Sequence, residues 1–124
     1  MEKVLKLGVM PPEQYKQRTI AIAKGQYKPK PTEPKVWFAS MRSLSEALSE
    51  KNLALLKLIE QNQPGSISEL AQLSGRKESN LSRTLNKLAS YGIVRLQSQD
   101  GTKAKKPIVK ATKFTIEIDS KTFY

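Results

Sequence analysis

The sequence predicts an α+β chain: amphipathic helices followed by a β-hairpin, with a strand-and-helix extension in front. Three observations carry that prediction. Capping-box spacing and helical leucine periodicity recur between residues 43 and 91. Single glycines stand where helices need to stop, and alternating aliphatics after Gly92 flank an Asp100-Gly101 turn signal.

Taken in order, Val4, Leu5, Leu7 and Val9 form a short alternating run that reads as a strand. Pro12 then opens a helix, EQYKQRTIAIAK, which Gly25 stops. Tyr15, Thr19, Ile22 and Ala23 fall at helical spacing and are expected to bury one face, with Lys16, Arg18 and Lys24 outward. The segment QYKPKPTEP (26–34) alternates proline with polar residues and reads as an extended, polyproline-like linker; a docking peptide has the same composition. Residues 35–118 read as one domain, with 119–124 as a tail.

Within that domain, Val36-Trp37-Phe38 is a short strand or apolar anchor, and Ser43 and Glu46 have capping-box spacing at the head of a first helix. A second helix starts at Ser49, with Leu53, Leu56 and Ile59 on one face, widened by Leu55 and Leu58. Ser66 and Glu69 head a short helix to about Ser74, and a longer one follows from Gly75 to about Tyr91. Ile93, Val94 and Leu96 begin a strand; Ile108 and Val109, then Phe114, Ile116 and Ile118, supply one or two return strands.

Composition removes most chemistry. With no cysteine and no histidine, disulfides, thiolate metal sites and the commonest acid–base group are all missing, and no paired carboxylates or Gly-rich phosphate loop take their place. No catalytic residue, metal or cofactor is expected, and an enzyme is not. No apolar run is long enough to span a membrane and the N-terminus lacks a signal-peptide centre, so a cytoplasmic protein is expected. The net charge of +11, from 22 cations and 11 anions, favours a polyanionic partner, although a basic solubilising surface has the same signature.

Residues 66–92 are more specific. A helix-turn-helix needs a small residue and a turn glycine where its helices cross, and Ala71 and Gly75 stand four apart. Leu70, Leu81, Leu85 and Leu88 would form the shared core, the last three at i, i+4, i+7. Lys77, Ser79, Asn80, Arg83, Asn86 and Lys87 remain outward on the second helix, as a helix lying in a major groove requires, and Arg76 and Ser82 join Lys77, Ser79, Asn80 and Arg83 as the expected groove contacts. Asn80 can pair with adenine and Arg83 or Arg76 with guanine, while Lys77 and Lys87 suit phosphate. Ser79 is equally a cap, and Glu78 suits the first helical turn. The hairpin tip, DGTKAKK, holds Lys103, Lys105 and Lys106, a cluster suited to phosphate beside a reading helix and also to a solvated loop.

The segment SISELAQLSGRKESNLSRTLNKLASYGIV resembles the winged helix-turn-helix of MarR-type and related bacterial and archaeal regulators. EQYKQRTIAIAKGQ and KVWFASMRSLSEAL further resemble a group of small winged-helix proteins that are often antitoxins of toxin–antitoxin pairs. The resemblance implies a winged helix-turn-helix domain, three helices plus a hairpin wing, binding an inverted-repeat operator in double-stranded DNA as a homodimer. It implies autoregulatory repression and a cognate toxin partner. Ser82-Arg83 with Ser79 and Asn80 become the base-reading group, and Lys103, Lys105 and Lys106 the wing contacts. Two departures stand out: the wing tip carries lysines where an arginine is usual, and a long C-terminal dimerisation helix is missing. Dimerisation or partner binding would then fall to residues 1–25. A MarR-like regulator outside toxin–antitoxin systems, or a winged-helix module docking protein or RNA, are the alternative readings.

Overall fold

The computed structural model describes residues 3–99, 101 and 103–120. Its elements run β1 (Val4–Val9), α1 (Pro12–Ala23), β2 (Val36–Phe38), α2 (Met41–Ala47), α3 (Glu50–Asn62), α4 (Ile67–Ser74), α5 (Glu78–Ser90), β3 (Val94–Ser98), β4 (Lys105–Val109) and β5 (Lys113–Glu117). They form two compact units: residues 47–112 with Lys3, and residues 4–46 with 113–120.

The first unit is the winged helix. Ser49 caps α3 by accepting from the Asn52 amide at 3.2 Å, and Leu55, Leu56 and Ile59 are buried. Leu53, expected inward, is 42% exposed, because the buried stripe centres on the Leu55–Leu56 side of the helix. Leu70, Leu81, Leu85, Leu88 and Ile93 are at most 1% exposed and complete the core, with α4 packed on α5 and α3 on β4. β3 and β4 pair antiparallel, Val94 opposite Val109 and Ser98 opposite Lys105, which makes the wing. Of the Asp100-Gly101 turn signal, Asp100 lies outside the described residues and Gly101 has a left-handed φ of 74°.

The second unit is a three-stranded, wholly parallel sheet in the order β2-β1-β5. Its register puts Leu5, Leu7 and Val9 on one face with Val36, Phe38, Phe114 and Ile116, and Lys6 and Gly8 on the other with Trp37, Thr115 and Glu117. Leu7, Val9 and Phe38 are at most 2% exposed. A Cβ on Gly8 would sit 2.6 Å from the Trp37 ring and 2.8 Å from Pro34, so only glycine lets that ring lie against the strand.

This topology corrects several expectations. β5 is no return strand of the hairpin; strict alternation marks a half-buried strand without naming its neighbour. β2 and β5 both pair with β1, so the expected 35–118 domain loses both ends to the N-terminal unit. The 26–34 segment is tied down rather than free. Pro34 is buried, the Lys35 amide donates to the Lys6 carbonyl at 3.0 Å, and Glu33 accepts from Arg18 at 3.4 Å and from the Lys30 amide at 2.8 Å. The Tyr27 hydroxyl also donates to Glu33. No residue of α1 is fully buried: Tyr15 is 45% exposed, and the half-buried stripe is Gln14, Arg18, Ala21 and Ile22. Arg18, expected outward, lies 5.3 Å from the Trp37 ring centre and 5.8 Å from that of Tyr27, where cation–π attraction adds to its pair with Glu33. Finally, Ser40 rather than Ser43 caps α2: its hydroxyl accepts from the Ser43 amide at 3.0 Å, while Ser43 Oγ accepts from the Ser40 amide at 3.1 Å.

Candidate nucleic-acid interface

The helix pair is built from local capping. Ser66 Oγ accepts from the Glu69 amide at 3.0 Å, and the Glu69 carboxylate reaches back to the Gly65 amide at 2.7 Å. Gly75 ends α4 in the left-handed region (φ 72°), donating to the Ala71 carbonyl at 3.0 Å. Lys77 stands at the N-cap of α5 and supplies no side-chain cap, so Ser79 sits inside the first turn and does not cap it. At the far end the Ile93 amide bonds the Leu88 carbonyl and the Gly92 amide that of Ala89, both at 3.0 Å, a Schellman closure that turns the chain into the wing.

Leu81, Leu85 and Leu88 fix the phase of α5, and Ser79, Arg83 and Asn86 therefore ride the opposite ridge, all exposed. On one flank of the ridge an open depression of about 590 Å³ is lined by Lys51, Gly75, Arg76, Lys77, Asn80, Arg83, Thr84 and Lys87. Five of those eight side chains are cations and none is acidic. On the other flank a depression of about 250 Å³ brings Ser82 and Asn86 together with Lys103 and Lys105 of the wing, the hydroxyls of Ser66 and Ser68, and Glu78.

Most of the sequence-predicted residues are therefore gathered around α5, with two differences. Arg76 is a half-buried floor residue, its Nη2 3.4 Å from Thr84 Oγ1 and its Nη1 buried without a hydrogen-bond partner. Lys106 points to the other side of the wing, beside Glu60 and Gln63, because adjacent residues of a strand face opposite ways. Arg83 is exposed, with its Nη2 3.4 Å from Asn80 Oδ1, a long contact that leaves the guanidinium available.

In the first depression two lining side chains went unforeseen. Thr84 is four residues from Asn80, so helical period alone would have found it. Lys51 belongs to the first turn of α3, and only the tertiary packing of three helices brings it to the rim. Among the described residues, no cluster of three or more His, Cys, Asp or Glu side chains is placed to hold a metal ion, and no helix is long and apolar enough to cross a membrane.

A profile of the HVO_A0114 family matches residues 47–116. No curated protein matches the chain. Among solved structures, the crystal structure of the M. tuberculosis transcriptional regulator MosR is similar at 24% identity and a TM-score of 0.45, covering 80% of this chain and 64% of that one. The chain thus spans less than two thirds of that protein's length.

Proposed function

This chain belongs to the HVO_A0114 family, and from its geometry we propose that it is a sequence-specific transcriptional repressor that binds double-stranded DNA. One observation carries the reading: five cations and no carboxylate line the depression beside the exposed ridge of α5. A polyanion with a groove wide enough for a helix fits that arrangement. Arg83, Asn80 and Ser79 are the base-reading group, with Ser82 reaching from the second flank. Lys51, Arg76, Lys77 and Lys87 hold phosphates on one side, and Lys103 and Lys105 hold them on the other.

The finer reading is an antitoxin that represses its own operon from an inverted repeat and binds a toxin protein in the cytoplasm. Its support is the sequence resemblance together with the exposed apolar side chains of the N-terminal unit, Tyr15 and Ile20 of α1 among them. A helix that buries none of its residues has surface left for a protein partner.

A mobility-shift titration of the full chain on the DNA upstream of its own reading frame, against an unrelated duplex, tests the DNA reading. Preference for the upstream DNA is expected, and log affinity against log salt should fall with a slope of about −4 or steeper as the cations displace counterions. A shallow slope with equal affinity for both duplexes would show that α5 reads no DNA.

A further inference from the structure

The two edges of the parallel sheet differ in kind. β2 is three residues long and follows the buried Pro34, two features that discourage strand addition. β5 carries neither protection: it has no proline, and Lys113, Thr115, Ile116 and Glu117 are all exposed. β1, the centre strand, has both edges occupied.

We propose that the edge of β5 which no described strand occupies pairs antiparallel with β5 of a second copy of this chain, about a two-fold axis at Thr115. The sequence Lys113-Phe-Thr-Ile-Glu117 is self-complementary about that residue. Reversed on itself, it sets Lys113 opposite Glu117 of the second copy, twice, and Phe114 opposite Ile116, twice, with the two Thr115 side chains facing each other. Opposite charges, aromatic–β-branched pairs and threonine pairs are the cross-strand combinations that stabilise antiparallel ladders. Glu117 has capacity for a second cation, since its contact with Lys6 is 3.5 Å long and its side chain is still 54% exposed. Lys113 takes part in no ion pair among the described residues. Pairing also covers Ile116, now 47% exposed, and converts two three-stranded sheets into one of six strands.

This interface rests on the sheet edge and not on the DNA reading, so the two are tested apart. Sedimentation velocity of the full chain without DNA is expected to show mass rising with concentration toward twice 13.9 kDa. Lys113→Glu sets like charges opposite each other twice and is expected to weaken self-association about tenfold; Ile116→Ala weakens it in the same direction. Trp37 emission reports whether each variant keeps its sheet. In an equimolar mixture of Lys113→Glu and Glu117→Lys chains, both cross-strand pairs are attractive again, and association is expected to recover. Arg83→Ala is expected to leave self-association unchanged. A wild-type chain that stays monomeric, or self-association indifferent to both Lys113→Glu and Ile116→Ala, overturns the proposal. A mixture of folded variants that associates no better than Lys113→Glu alone overturns the Thr115 axis.

Discussion

Arg83 stands four residues beyond Ser79 on the ridge of α5, exposed and with one long contact to Asn80 among the described residues. Replacing it with alanine is expected to weaken specific DNA binding by about 1–3 kcal/mol and to relax one operator position. Lys105→Ala, which removes a wing cation, is expected to lower affinity by a similar factor for every duplex and to flatten the salt slope by about 1. Competition shifts with single-base operator variants separate the two behaviours. Arg83, Asn80 and Lys77 were legible because a helix with three core leucines has a known phase, and the phase names the outward residues. Lys51 was not legible, since no pattern local to α3 ties its first turn to α5. Arg18 shows the converse error. Its helix placed it among outward lysines, but Trp37, Tyr27 and Glu33, all distant in sequence, offer it more than water does.

At the scale of elements, the cluster on α1 and the segment after it makes the N-terminal unit sensitive to pH at both ends. The Tyr27 hydrogen bond, helped by the Lys30 amide and Arg18, holds the Glu33 carboxyl below the ordinary carboxylate range. The same hydrogen bond raises the Tyr27 hydroxyl above its usual value. A depressed carboxylate contributes stability above its unfolded pKa that is lost as pH falls through the folded value. A raised tyrosine contributes stability below about 10 that is lost as pH climbs through the folded value. Trp37 is the single tryptophan and lies in this unit, so its emission reads both transitions. Tyr27→Phe is expected to move the acid transition toward higher pH and to remove the tyrosine-linked alkaline loss. Gly8→Ala, which drives a methyl into the Trp37 ring, is expected to cost about 1–3 kcal/mol in a thermal melt followed by the same emission. Caps and stops made the helices legible: Ser49, Ser66, Gly75 and Gly92 act on the residues beside them. The sheet was not, because which strands pair is decided by residues far apart in the chain.

For the whole molecule, if the proposed DNA reading holds, a net charge of +11 is expected to make attraction to any duplex strongly dependent on salt, with operator preference emerging as ionic strength rises and non-specific binding falls away. A titration at two salt concentrations with operator and random duplex checks this: the affinity ratio between them grows with salt. The centre strand carries a different consequence. Lys3 and Thr112, whose backbones meet at 2.9 Å, are 109 residues apart, and β1 and β5 begin immediately after them. β1 leaves the ribosome 109 residues ahead of β5, one of its two neighbours, since Val4 pairs with Lys113. A strand that is apolar on one face must therefore wait with its β5 edge open while the helices, with their local contacts, form ahead of it. Stopped-flow refolding is expected to show helical circular dichroism recovering before Trp37 emission. The time the nascent chain spends incomplete is thus the period in which its N-terminal strand is most open to wrong partners, and the speed of translation bears on the yield of folded protein.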